Sequence, residues 1–204
     1  MYKNVIKRQL DLLCAWMILL VSFPILVLIA VAVKLDSKGP AVFSQRRLGR
    51  NGKEFNMYKF RTMVMNAEAG GVYSDDKDSR VTRVGRLLRK TSLDELPQCI
   101  NIIKGDMSFV GFRPPLTYHP WPWEEYTEQQ KKMFSLRPGI TGWAQVNGRR
   151  TVEWNKRIAL NVWYAENVSF WLDCKIILMT VFKVLVNADN ENIGASVSQK
   201  SRDQ

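Results

Sequence analysis

From Leu12 to Val33 the chain is apolar at nearly every position, interrupted only by Ser22 and Pro24. A run of about 22 residues is long enough to cross a bilayer as one helix. It is too long for a signal-peptide core, and no small-residue cleavage site follows it. Pro24 removes a backbone donor near the middle and predicts a bend. Lys3, Lys7 and Arg8 precede the run and Lys34 and Lys38 follow it, which draws both ends to the cytoplasmic side. Two arrangements fit: a kinked spanning helix, or a helix that enters, bends at Ser22-Phe23-Pro24 and leaves by the same face. In the second, each arm has about eleven residues and reaches ~16 Å, half of the hydrocarbon core. The Ser22 hydroxyl is placed to take up a carbonyl freed by the bend. Asp11 follows Lys7 and Arg8 by one turn and is expected to pair with them or to stand as a solvated charge.

Beyond the turn Lys38-Gly39-Pro40 the pattern changes period. Ala41 to Met63 reads as two strands around Gly49-Arg50-Asn51-Gly52. Alternation in the second puts Lys59 and Arg61 on one face, solvated or lining a site, and Tyr58 and Phe60 on the other. Asn66 to Ser79 is polar and acidic, with Asp75, Asp76 and Asp78, and reads as a loop or lid. Val81 to Lys90 has helical spacing, with Val84, Leu87 and Leu88 against an arginine stripe. Leu93 to Lys104 reads as a second helix with Pro97 in its first turn and Gly105 just past its end. Met107 to Arg113 reads as a buried strand running into the stiff turn Arg113-Pro114-Pro115. His119-Pro120-Trp121-Pro122-Trp123 is either an interfacial anchor or an aromatic loop packed on the core. Positions 168–186 form an amphipathic helix for the core or the membrane surface, and the polar tail 187–204 is expected to be disordered.

Charge narrows the partners. Lys and Arg number 30 against 19 Asp and Glu, a net +11, which points to nucleic acid, an anionic membrane or a phosphorylated substrate. The single histidine, His119, leaves a Ser-His-Asp triad without material elsewhere, and three scattered cysteines make no zinc motif. The chemistry-bearing stretch is Ser92-Leu93-Asp94-Glu95-Leu96-Pro97. Asp94 and Glu95 lie close in sequence to Arg83, Arg86, Arg89 and Lys90. A nucleophile or metal ligand with cations to hold a phosphate is what phosphoryl chemistry requires. A plainer reading is a capping box, in which Ser92 and Glu95 satisfy backbone donors at a helix start. The segment Arg137 to Arg149 is punctuated by glycine, and its backbone amides with Gln145, Asn147 and Arg149 could cradle a nucleotide.

The order of motifs resembles the monotopic phosphoglycosyl transferases, the bacterial sugar transferase family, and its smallest members most. The likeness runs from Lys7-Arg8-x-x-Asp11 to about Val186. It rests on Tyr58-Lys59-Phe60-Arg61-Thr62-Met63, Arg89 through Ser92-Leu93-Asp94-Glu95-Leu96-Pro97-Gln98, Lys104-Gly105-Asp106-Met107-Ser108-Phe109, Gly111-x-Arg113-Pro114, and Arg137-Pro138-Gly139-Ile140-Thr141-Gly142 through Asn147-Gly148-Arg149. The resemblance implies a small α/β domain (37–186) seated on the cytoplasmic face of the bacterial inner membrane by a re-entrant helix (1–36) and membrane-surface amphipathic helices. It implies transfer of a sugar-1-phosphate from a UDP-sugar to a polyprenyl phosphate such as undecaprenyl phosphate, with UMP released and magnesium required. Asp94 would be the nucleophile that carries a covalent phosphosugar, and Glu95 would help through the metal or by orienting Asp94. Arg89 would contact phosphate, Arg113 with Pro114 would form the nucleotide-side turn, and Lys59 would add a further cation. A membrane-tethered nucleic-acid-binding or scaffold module is the alternative, and no nucleic-acid motif accompanies the charge. Two positions depart from the family pattern: Phe23 separates Ser22 from Pro24, and Phe112 replaces a proline before Arg113.

Overall fold

The computed structural model describes residues 2–67, 71, 78–148 and 153–185. Arg149, Asp75, Asp76 and the tail from 187 therefore lie outside the described residues, and so does most of the expected lid. A π-helical turn, Tyr2–Ile6, leads into helix α1, Lys7–Asp36, which continues past Pro24. Strands β1, Val42–Leu48, and β2, Glu54–Phe60, form the expected antiparallel hairpin. Its turn needs positive φ at Asn51 (55°) and Gly52 (74°), which asparagine and glycine tolerate best. Helices α2, Arg83–Thr91, and α3, Gln98–Lys104, precede strand β3, Ser108–Val110. Then come α4, Glu128–Lys131, strand β4, Gly139–Thr141, and helices α5, Trp143–Val146, α6, Trp154–Glu166, and α7, Phe170–Leu185. Strand β3 pairs in parallel with β4.

Two expected elements are redrawn, and a third resolves to one of its alternatives. The helix expected over Leu93 to Lys104 splits into a 3₁₀ turn, Leu93–Glu95, and α3, with Pro97 at the boundary. Proline has no N–H to continue the ladder across that point. Gly105 closes α3 at φ 93°, donating to the carbonyls of Asn101 and Ile102, as its position suggests. The strand expected over Met107 to Arg113 shortens to Ser108–Val110. Past it, Gly111 donates to Thr141 O at 2.9 Å while Gly139 donates to Phe112 O at 2.9 Å. The backbones approach so closely that a Cβ on Gly142 would stand 1.8 Å from Gly111 O. The Trp-Pro segment is an aromatic loop on the core: Trp121 and Trp123 pack against Phe112, Tyr126 and Phe134.

Helix α1 is held at both ends and free in the middle. Near its start Ala15 joins a core with Met57, Cys99, Ile102 and Met107; near its end Ile29 and Val33 join Phe60 and Leu88. From Trp16 to Leu28 no residue is buried, and Val21 is 83% exposed. The expected pairing of Asp11 with Lys7 and Arg8 is replaced by longer-range contacts. Lys7 Nζ lies 2.6 Å from the buried Asp173 carboxylate of α7, which also accepts from the hydroxyls of Tyr2 and Tyr164. Arg8 donates to the terminal carbonyls of α3, Ile102 O at 2.6 Å and Ile103 O at 3.2 Å, and Asp11 accepts from Phe109 N at 3.1 Å. These groups are drawn inward because α3 has orphan carbonyls and a buried carboxylate demands a cation.

Ser22 does not relieve the proline as expected. Pro24 frees the carbonyl of Leu20, but the Ser22 hydroxyl donates to Ile18 O at 2.6 Å. A helical serine reaches the carbonyls three or four residues back; the extra Phe23 leaves the freed one only two back. At the other end Arg61, expected beside Lys59 on an open strand face, is buried. Its guanidinium donates to Ser37 O at 2.7 Å and also to Lys38 O and Val33 O, closing the exposed carbonyl end of α1.

Candidate active site

The carboxylate pair stands on the 3₁₀ turn that follows α2. Thr82 caps the start of α2 by accepting from Gly85 N at 3.0 Å. Gly85 is required there, since a Cβ would meet Thr62 O at 2.1 Å. At the far end Ser92 takes the left-handed conformation, φ 58°, and its N–H returns to the carbonyls of Arg89 and Leu88. Ser92 is therefore the C-cap of α2. The capping-box reading fails, because its side chain makes no cap hydrogen bond to the turn it precedes. The reversal at Ser92 swings Asp94 and Glu95 toward β2.

Three of the expected cations gather around Asp94. Its carboxyl is pushed up to about 6, first by burial and next by the like charge of Glu95, while Lys59, Arg113 and Arg89 pull it down. Lys59 is brought down to about 8 by burial and then by Arg47, against the raising influence of Asp94; its ammonium rests 5.5 Å from the Phe43 ring centroid. Arg113 Nη1 pairs with Glu95 Oε1 at 3.2 Å on an exposed edge. Arg89 is oriented by donating from Nε to Thr62 Oγ1 at 2.9 Å.

The turn bearing Arg113 is rigid without the proline expected before it. Phe112 is 1% exposed and packs edge-on to Phe134 at 4.9 Å. Pro114 and Pro115 are buried, and Leu48 N donates to Pro115 O at 3.0 Å. Arg47 completes the fixing: Nη1 donates to Pro114 O at 3.1 Å while Nε and Nη2 grip Gln45 Oε1 at 3.1 and 2.6 Å. Sequence reasoning missed Arg47, Gln45 and the role of Thr62. The available signal was the register of the hairpin, which sets Phe43 opposite Lys59 and puts Gln45 and Arg47 on the same face.

Gln145 and Asn147 are placed differently. Gln145 Nε2 donates to Ile140 O at 2.9 Å and Asn147 Nδ2 to Trp143 O at 2.8 Å. Both thus bond within their own segment, and the carboxylate pair is not among those partners. Among the described residues Gln145 Oε1 is buried without a partner.

Among the described residues no group of three His, Cys, Asp or Glu side chains assembles a metal cage. Asp94 and Glu95 do suit magnesium, which commonly takes one or two carboxylates and fills its octahedron with water and substrate phosphate. Burial and then the neighbouring Glu95 charge disfavour the ionised Asp94 carboxyl, and a cation held between the two carboxylates would offset both.

The carboxylate pair, with Lys59, Arg113 and Arg89 acting on Asp94, thus sits on a domain that holds both ends of a helix long and apolar enough to cross a membrane. The family model "Bacterial sugar transferase" matches residues 2–187. An uncharacterized sugar transferase of Bacillus subtilis, EpsL, is 46% identical over 90% of this chain and 89% of its own. The UDP-glucose:undecaprenyl-phosphate glucose-1-phosphate transferase of Escherichia coli is 44% identical over 90% of this chain but only 41% of its own length. The undecaprenyl-phosphate galactose phosphotransferase of Salmonella typhimurium is 38% identical, again with 41% of its length covered. The chain belongs to the bacterial sugar transferase family and is an enzyme of that class. It spans about two fifths of the longer relatives it matches.

Proposed function

We propose that this protein transfers a sugar-1-phosphate from a UDP-sugar to undecaprenyl phosphate or a similar polyprenyl phosphate, releasing UMP, as the first step of glycan or glycoconjugate assembly. The observation that carries this reading is Asp94 itself, partly buried, raised to about 6, and within the electrostatic reach of Lys59, Arg113 and Arg89. A carboxylate in that setting attacks phosphorus once the phosphate charge is neutralised. An Asp94 oxygen forms a bond to the sugar-bearing phosphorus, and the bond from that phosphorus to the bridging oxygen breaks, so UMP leaves with that oxygen. The lipid phosphate then attacks the same phosphorus. The acyl-phosphate bond breaks, Asp94 is freed, and the product is a polyprenyl diphosphosugar. Arg113 and Arg89 hold phosphate oxygens, and Glu95 orients Arg113 and shares with Asp94 the place of a magnesium ion. When bound, that ion neutralises phosphate charge.

The acceptor is a lipid, so the site must lie at a membrane. We read α1 as re-entrant, seated from the cytoplasmic face of the bacterial inner membrane. Both its ends return to one domain, with Ile18, Leu19 and Leu26 still resting against its cores, while Leu20, Val21, Phe23 and Ile25 between them are exposed. Helix α7 adds a second apolar surface through Phe170, Trp171, Leu178 and Phe182, with Asp173 and Ile176 turned inward.

The test is a UMP-release screen across UDP-sugars with undecaprenyl phosphate and magnesium. Release with at least one donor, lost in Asp94→Asn, is the expected result. No release from any donor, or equal release without the lipid, contradicts the reading.

A further inference from the structure

Helix α2 has a surface that the transfer reaction does not use. Arg83, Arg86 and Lys90 are exposed at helical positions i, i+3 and i+7, and Leu87, in the same stripe, is 61% exposed. The opposite face is occupied: Leu88 and Val84 pack with Ile29 and Val33 of α1. Asp36, the last residue of α1, accepts from Val84 N at 2.9 Å. This bond fixes the start of α2 to the point where α1 passes from apolar to polar sequence. A helix tied to that point and packed along the final turns of α1 lies at headgroup depth if α1 is embedded. An exposed leucine between cations is the pattern of a helix that rests on an anionic bilayer, the alkyl group dipping inward and the cations meeting phosphates.

We propose that the outward face of α2, formed by Arg83, Arg86, Leu87 and Lys90, binds anionic phospholipid headgroups. The docked face fixes the height of the Asp94–Glu95 turn above the bilayer, because that turn continues directly from α2 through Ser92. The partner is identified by charge complementarity and by the adjoining membrane helix, and the inference rests on the membrane seating proposed above.

The experiment places the full chain in phosphatidylcholine nanodiscs doped with spin-labelled phosphatidylglycerol or spin-labelled phosphatidylcholine, and compares the motionally restricted fraction of each. The wild-type protein is expected to restrict the anionic label preferentially. Each cation removed should weaken that preference up to about fivefold at low salt. The triple variant Arg83→Gln/Arg86→Gln/Lys90→Gln should therefore lose most of it, while Arg83→Lys/Arg86→Lys keeps it. The variant Arg50→Gln/Lys53→Gln/Lys156→Gln, which removes equal charge elsewhere, should also keep it. If the triple variant does not fold, Arg86→Gln alone should still give about a fivefold loss. A disc-bound variant that retains the wild-type preference overturns the inference alone. A wild-type chain that does not co-elute with the discs overturns both the inference and the membrane seating.

Discussion

Asp94 is pulled in two directions, and the balance sets how it responds to pH. Burial and the Glu95 charge disfavour its ionised form, Lys59, Arg113 and Arg89 favour it, and the outcome is about 6. Only the ionised carboxylate attacks, so covalent labelling of the free protein at low donor concentration should rise as pH climbs through about 6 and level off above. An unperturbed aspartate would place that rise near ~4. Removing the like charge with Glu95→Gln should lower the rate several-fold or more and move the rise to lower pH, read from initial labelling rates. An unmoved rise would assign the shift to burial alone. At this scale the nearness of Asp94, Glu95, Lys59, Arg89 and Arg113 was legible from their motifs, and the roles given to them are those of the proposal. Arg61 was misread because two-residue alternation ends with the strand. Its direction is set by the carbonyl end of α1, some twenty-five residues back, which no local pattern records. Arg47 was missed for a related reason, since its role depends on a turn far along the chain.

Between elements, the site depends on how α1, β2 and α2 lock together. Arg61 joins the carbonyl end of α1 to the end of β2, and Arg89 joins α2 to Thr62 just beyond. Hydrogen bonds from a charged donor contribute about 1.5–3 kcal/mol each and leave buried acceptors unsatisfied when removed. Arg61→Gln should therefore destabilise the protein by about 2–4 kcal/mol, seen as a lower midpoint in chemical denaturation, and a change within about 0.5 kcal/mol would contradict the capping role. Hairpin, α2, Gly105 and the amphipathic C-terminal helix were readable from period and punctuation. Pro97 was read as a first-turn residue, whereas the chain uses it to separate a 3₁₀ turn from α3. The Phe112 position shows the same limit: packing on Phe134 supplies the stiffness that composition assigns to proline.

At the scale of the whole molecule, the first helical turns meet α7. Lys7 and Tyr2 share the buried Asp173 of α7, and the Tyr164 hydroxyl beside it is raised by burial first and then by the Asp173 charge. That meeting fixes the entry of α1 as firmly as Arg61 fixes its exit. Composition left spanning and re-entrant arrangements both open, because length and hydropathy are the same for each; the proposal of a re-entrant helix rests on the shared domain at both ends. Single cysteines at positions 3 and 38 should label from one side of sealed vesicles. Labelling from opposite sides would contradict the re-entrant proposal and establish a spanning helix.

The proposed reaction turns on a bond between Asp94 and phosphorus. Rapid quenching of turnover with donor labelled in its sugar phosphate, followed by peptide mapping, tests it most directly. The predicted result is label on the peptide containing Asp94, formed as UMP appears, discharged by undecaprenyl phosphate and missing in Asp94→Asn. UMP release at full rate with no label on the polypeptide at any time point would contradict it.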